Sequence, residues 1–381
     1  MAASAPTATT SAATSVTQTS ATLNGTINPQ GASTAISFCI SLSSTTTGGA
    51  LGGCTNPSPS EANTTIIDTP TATASGLTAG TQYFFQIIGQ NSIGTTYGTV
   101  LNFTTTAKTS QSALSISLVT SSKTYPYSQA PTFSTSGGSG TGPVSYSISA
   151  GGTATGCSLS DTSTSGVLTA TTSGTCLIIA TKGSDNTYNS ATSSAATFTF
   201  SRASQTISIS SLGTSSASYP YSQALSASTS GSSGTGAITY AISSGGTASG
   251  CALSNSTATA TLTSTTSGTC LIAATIARDT NYDTATSTSA TFTFSKASQA
   301  TLTLSLSTST KTYPYSQAPT FSTSGGNGTG PVSYSISAGG TASGCSLSDT
   351  STSGVLTATT SGTCLIIATK GADTNYSSQT S

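Results

Sequence analysis

The chain has 381 residues, of which eight are Lys or Arg, eight are Asp or Glu and none is His. Charged residues make up 4% of it, against roughly a quarter of an average soluble domain, while Ser and Thr supply roughly two residues in five. The lack of His excludes His-based triads and metalloprotease sites. The sparse, balanced charge excludes a phosphate-neutralising surface, so nucleic acid is not an expected partner, and no apolar run approaches the length of a membrane span.

The length fits three or four small domains rather than one sandwich. Met1 and the following Ala2-Ala3-Ser4-Ala5-Pro6 lack the positive and apolar regions of a secretory signal. Met1 is therefore read as an addition, with any natural leader outside the chain. From residue 107 onward a repeat takes over. Tyr125-Pro126-Tyr127-Ser128-Gln129 returns as Tyr219 to Gln223 and as Tyr313 to Gln317, displaced by 94 residues each time. Cys157, Cys251 and Cys345 keep this period, as do Cys176, Cys270 and Cys364, Tyr146, Tyr240 and Tyr334, and Tyr188, Tyr282 and Tyr376. From Lys123 to Gly183 the first copy differs from the third, Lys311 to Gly371, only at Ser139 against Asn327 and Thr155 against Ser343. The middle copy differs widely, so the duplicated unit is read as a pair of domains.

Within the first copy Leu114, Ile116 and Leu118 alternate with polar residues, as do Val144, Tyr146 and Ile148, and Ala196, Phe198 and Phe200. Side chains alternate across a strand, so these runs predict half-buried strands. Cys176-Leu177-Ile178-Ile179-Ala180 is apolar throughout and predicts a central strand. Helical periodicity is absent. Thr257-Ala258-Thr259-Ala260-Thr261-Leu262-Thr263 places Thr at every second residue, which predicts a strand with one face of threonines pointing to solvent.

Ala21-Thr22-Leu23-Asn24-Gly25-Thr26, Gly76-Leu77-Thr78-Ala79-Gly80-Thr81-Gln82-Tyr83, Asn91-Ser92-Ile93-Gly94 and Phe103-Thr104-Thr105 together make residues 5–106 resemble a fibronectin type III domain. The resemblance implies that Tyr83 is a buried corner tyrosine whose hydroxyl bonds backbone upstream. The chain has no Trp, so Leu23 and its neighbours must fill the space an aromatic often takes. Residues 107–381 resemble tandem bacterial immunoglobulin-like repeats of exported proteins, on Gly183-Ser184-Asp185-Asn186-Thr187-Tyr188, Ala196-Thr197-Phe198-Thr199-Phe200 and the junction Ser201-Arg202-Ala203-Ser204-Gln205. The expected fold is all-β, four tandem β-sandwich domains in an elongated rod. The expected boundaries are 1–106 for the fibronectin type III-like domain and 107–202, 203–296 and 297–381 for the three immunoglobulin-like repeats. Ser381 corresponds to Ser193, so the third repeat is expected to lack its last strand. Either the parent protein continues or another chain donates that strand.

The eight cysteines fall two to a domain: Cys39 with Cys54, Cys157 with Cys176, Cys251 with Cys270 and Cys345 with Cys364. Disulfides between them imply an oxidising, extracellular or cell-surface location. Two Cys and no His per repeat cannot supply the four ligands of a zinc site, and neither metal nor cofactor is expected. Asp185, Asp279 and Asp373 begin the same turn in the three repeats, and a turn Asp bonding its own backbone is the expected structural role. No domain offers the facing carboxylate pair of a glycosidase, and a lone Asp per loop would need carbonyl help to hold calcium. Gly137-Gly138-Ser139-Gly140-Thr141-Gly142-Pro143 leads into a strand, not a helix, and lacks the Gly-Lys-Ser/Thr ending of a phosphate loop, so a flexible connection is expected. Asn24, Asn63, Asn102, Asn255, Asn327 and Asn375 head glycosylation sequons.

No catalysis is expected. Repetition without recognisable chemistry points to a structural stalk or spacer in an adhesin-like surface protein. The alternatives are a subunit of a self-assembling filament or sheath, and accessory modules of a larger secreted enzyme that bind glycans or matrix. Expected partners are other copies of the chain or neighbouring repeats, with glycans or matrix under the last alternative.

Overall fold

The structure, a computed structural model, describes residues 2–57, 59, 63–126, 133–163, 167–212, 215–230, 234–314, 319–351 and 355–381. Tyr127 to Gln129 and Tyr315 to Gln317 of the repeated motif lie outside the described residues. The fold is all-β: among the described residues there is no helix, and the strands gather into many small sheets. The chain divides into two compact units, Met1–Ser201 and Arg202–Ser381, and each holds two hydrophobic clusters.

In the first unit, strands Thr7–Thr14, Ser20–Asn28 and Thr71–Ser75 form an antiparallel sheet. A second sheet runs in the order Leu101–Thr104, Gln82–Gln90, Thr34–Ser41, Asn63–Thr64, with Thr95–Tyr97 also on Gln82–Gln90. Ser20–Asn28 alternates strictly between buried and half-buried positions, which is the period of a pleated strand with one face on a core. Leu23 and Ile27 from that face meet Phe38, Phe85 and Ile87 of the other sheet, all fully buried. Leu23 thus sits at the centre of a core that has no indole. The sheets come close enough at Gly25 that an added Cβ would lie 2.6 Å from Ile87 Cδ1, so a side chain there would displace the isoleucine.

The rest of the first unit is built around one strand, Gly174–Lys182. Val144–Ser149 pairs with it on one side and Ala196–Ser201 on the other, both antiparallel. Cys176, Ile178 and Ala180 are fully buried between them. The closing strand, Ala196–Ser201, also pairs with a short lead strand, Ser122–Thr124, and this pairing is parallel, matching Ser122 with Thr199 and Thr124 with Ser201. Leu114–Leu118 and Phe133–Gly137 form a separate antiparallel pair, and Leu114 and Phe133 pack into the same core. Phe198 and Phe200 both lie in that core, their ring centroids 5.0 Å apart at 62°. Each contributes about 1.5–3 kcal/mol by leaving water.

The second unit repeats the plan. Gly268–Ile276 is flanked by Ile238–Ser243 and Ala290–Ser295, and Ser216–Ser218 lies parallel to the latter. In residues 297–381, Leu365–Lys370 pairs with Val332–Ser337 and with Gln379–Thr380. The predicted threonine-faced strand is not continuous. Only Thr261–Thr263 is a strand, because Asn255 Oδ1 accepts from both the amide and the hydroxyl of Thr257, each at 2.8 Å, and Ala260 N donates to Thr257 O at 3.0 Å. A side-chain acceptor two residues upstream competes with the sheet ladder and turns the chain.

Four disulfides join Cys39 to Cys54, Cys157 to Cys176, Cys251 to Cys270 and Cys345 to Cys364, with Cα separations of 5.1, 5.9, 5.9 and 5.9 Å. In the first two repeats the bond ties a loop to the central strand, and in the third it ties a loop to the residue just before that strand. Such bonds fit a protein of extracellular type. Among the described residues no helix is long and apolar enough to cross a membrane.

Candidate functional site

Among the described residues, no group of three or more His, Cys, Asp or Glu stands together as a metal site would require. The most fully built polar arrangement is a loop cluster that recurs in all three repeats. Asp185 opens the loop after the central strand. Its Oδ1 accepts from the amides of Thr187 and Tyr188, both at 2.8 Å, which closes a local turn. Its Oδ2 reaches across 44 residues to accept from Thr141 N at 2.6 Å and Thr141 Oγ1 at 3.1 Å. The glycine-rich loop expected to be flexible is therefore tethered.

Gln111 completes the tether. Its Oε1 accepts from Gly140 N at 3.2 Å, and its Nε2 donates to Gly183 O at 3.1 Å and Asn189 O at 2.6 Å. One amide thus serves three segments. Gly140 must be a glycine for the loop to sit so close, since an added Cβ would fall 2.6 Å from Asp185 Oδ2. The second repeat has the same parts in Asp279, Thr235 and Gln205, with Asp279 Oδ2 accepting from Thr235 N at 2.6 Å and Gln205 Oε1 from Gly234 N at 3.0 Å. The third has Asp373, Thr329 and Gln299, where Gln299 Nε2 donates to Gly371 O at 3.1 Å and Ser377 O at 2.8 Å.

These amides favour the charged carboxylate. The Thr141 amide, then those of Tyr188 and Thr187, hold Asp185 down at about 2 from an ordinary 3.8. The Thr329 and Tyr376 amides likewise hold Asp373 at about 2. Asp279 is lowered too, first by the Thr235 amide, against an opposing push from burial. A carboxyl group whose folded value is depressed stabilises the fold above its unfolded value, and that stabilisation is lost as pH falls through the folded one. Melting midpoints are therefore expected to fall between about pH 4 and about pH 2. Replacing Asp185, Asp279 and Asp373 together with Asn should lower the midpoint at neutral pH and flatten this acid limb. Calorimetry over a pH series checks it, and an acid limb unchanged in the triple variant would refute the assignment.

The loop cluster also meets an earlier segment of the chain within each unit. Gln18 Nε2 donates to Ala107 O at 3.2 Å and to Thr187 O at 3.0 Å, so the turn after the strand Thr7–Thr14 grips the apex of the Asp185 loop. In the second unit Ser267 N donates to Asn375 Oδ1 at 2.8 Å, Ser267 Oγ donates to Thr374 O, and Asn375 Nδ2 donates to Thr265 O at 3.4 Å. Thr187 and Asn375 are equivalent in the repeat. The Asn375 sequon is thus engaged between two repeats of its unit. Nearer the N-terminus, the Tyr83 hydroxyl accepts from Thr78 N at 2.9 Å, five residues upstream. Its ring is half-buried and stacks on Phe103 at 5.9 Å.

Sequence reasoning did not single out Gln111, Gln205 and Gln299, although they keep the 94-residue period. It also passed over Gln86, which is fully buried and bonds Leu51 N at 2.6 Å, Gly49 O at 3.0 Å and Gly98 O at 2.9 Å. Each repeat's cysteine pair and acidic loop lie apart in role: the disulfide anchors a loop near the core strand, whereas the Asp and Gln tether the glycine-rich loop.

No family model matches the chain. No curated protein matches it. Among solved structures, the chain is similar to the sensor domain of the anti-sigma factor RsgI4 of Pseudobacteroides cellulosolvens, at 20% identity and a TM-score of 0.21, over 28% of this chain and 93% of that one.

Proposed function

We propose that the chain is a non-catalytic spacer segment of a secreted or cell-surface repeat protein, built from a fibronectin type III-like domain and three immunoglobulin-like repeats. One observation carries this reading: the same carboxylate-built loop meets the preceding domain in both units, through Gln18 in one and Ser267 in the other. A loop preserved by hydrogen bonds and spent on contact with the next domain serves spacing better than it serves binding or catalysis. The glutamine and aspartate that hold it are engaged by backbone and threonine partners of the same repeat.

Electron microscopy of the purified chain under oxidising conditions, across a concentration series, tests the reading. Separate beaded particles of four domains at every concentration are the expected result. Regular filaments would overturn it in favour of self-assembly, and saturable binding of a polysaccharide in a parallel glycan screen would favour an accessory binding module.

A further inference from the structure

The first and third repeats, nearly identical from Lys123 to Gly183 and from Lys311 to Gly371, part company at the loop that follows. The first reads Asp185-Asn186-Thr187-Tyr188 and the third Asp373-Thr374-Asn375-Tyr376. At this apex the third repeat matches the otherwise divergent second, Asp279-Thr280-Asn281-Tyr282. Chain order sorts the repeats the same way, because the second and third each follow another repeat whereas the first follows residues 1–106. The carboxylate turn itself does not require the change. Asp185 Oδ1 takes the amides of Thr187 and Tyr188, and Asp373 Oδ1 takes those of Asn375 and Tyr376, all at 2.8 Å.

What differs is the use of the apex side chain. Thr187 is exposed and meets Gln18 through its carbonyl oxygen, which any residue offers. Asn375 is half-buried, and its side chain closes on the turn that precedes Gly268–Ile276. Its Oδ1 accepts from Ser267 N at 2.8 Å and its Nδ2 donates to Thr265 O at 3.4 Å, while Ser267 Oγ donates to Thr374 O. A threonine is shorter and carries a single oxygen, so it cannot make both side-chain contacts at once. The turn is the sequence Thr-Thr-Ser-Gly, found at 171–174, 265–268 and 359–362 and absent from residues 1–106. Gly174, Gly268 and Gly362 hold it at φ of 134°, 133° and 144°, a conformation that suits glycine.

We propose that Asn375 is a specificity-determining residue that seats its repeat on a Thr-Thr-Ser-Gly turn, so that the partner this apex fits is another 94-residue repeat carrying that turn. The amide reads the turn's backbone at two points, accepting from the serine N–H and donating to the carbonyl of the first threonine. Two points fix an orientation as well as a contact. A threonine at the apex keeps the carboxylate turn, as the first repeat shows, but leaves the Ser267 amide without this acceptor. Seating of this kind is independent of whether the chain is a spacer.

The test follows amide hydrogen exchange, residue by residue by NMR, in the oxidised full chain and in its Asn375→Thr variant. The Ser267 amide is expected to exchange on the order of tenfold faster in the variant, the effect of losing one hydrogen bond. The Tyr376 amide, held by Asp373, should keep its wild-type protection. Thr187→Ala should leave the Tyr188 amide protected and the melting midpoint unchanged. Wild-type exchange at Ser267 in the Asn375→Thr chain would overturn the proposal, and beaded particles in micrographs of that same chain would leave the spacer reading standing. Lost protection at Tyr376 would also overturn it, by showing that Asn375 serves its own loop rather than the turn. A lowered midpoint for Thr187→Ala would do the same, since it would give the first repeat's apex side chain a role of its own.

Discussion

Reducing the disulfides is expected to lower the melting midpoints of the three repeats by roughly 12–24 °C. Each bond closes a loop whose ends are 19 residues apart, and on the chain-entropy account that constraint stabilises the folded state by about 3 kcal/mol. A domain of this size gains about 4–8 °C per kcal/mol. The figure is large because net stability is small, about 5–15 kcal/mol for an ordinary domain. Cys176 and Cys270 are fully buried, while Cys364 is half-buried. Calorimetry with and without a phosphine reductant, beside the Cys157→Ala/Cys176→Ala variant, checks the size of the effect. Midpoints that agree within a degree or two would mean that the cores carry the repeats without their crosslinks.

The second large effect is expected from Phe198→Ala and its counterpart Phe292→Ala, each costing its repeat about 3–5 kcal/mol. Both rings are fully buried and each meets a second ring edge-on, Phe200 at 5.0 Å and Phe294 at 4.9 Å. The close-packed sheet around them collapses little, so the loss includes a cavity as well as transfer from water. Val119, 72% exposed, supplies the contrast. Val119→Ala should change stability by no more than about 0.5 kcal/mol. Urea unfolding of the three variants separates the cases, and similar midpoints for Phe198→Ala and Val119→Ala would contradict the packing described.

The β character of the chain was legible because burial on one face leaves a period of two, as in Val144, Tyr146 and Ile148. The central strand was legible for the opposite reason. Cys176 to Ala180 is covered on both edges and packed on its inner face, so it lost the polar alternation. The threonine row at 257–263 misled because alternation alone does not reveal that Asn255 captures Thr257 and turns the chain. The local half of the Asp185 site could be read from its turn, since both amides on Oδ1 lie within three residues. The other half could not, because Thr141 and Gln111 are brought to it only by the fold. Gln86 left no mark at all: it sits inside a strand, and its three partners are loop and edge atoms far away in sequence.

The parallel pairing of the lead and closing strands determines how a repeat resists tension. Ser122–Thr124 lies near the start of the first repeat and Ala196–Ser201 ends it, so pulling the two ends apart drags these strands past one another along their length. Their evenly spaced bonds are then loaded in shear and must rupture together, whereas strands peeled from one end part bond by bond. Ser216–Ser218 and Ala290–Ser295 place the second repeat under the same geometry. Once such a repeat gives way, its crosslink still withholds a loop of 19 residues, which keeps the stretched segment shorter by roughly 65 Å.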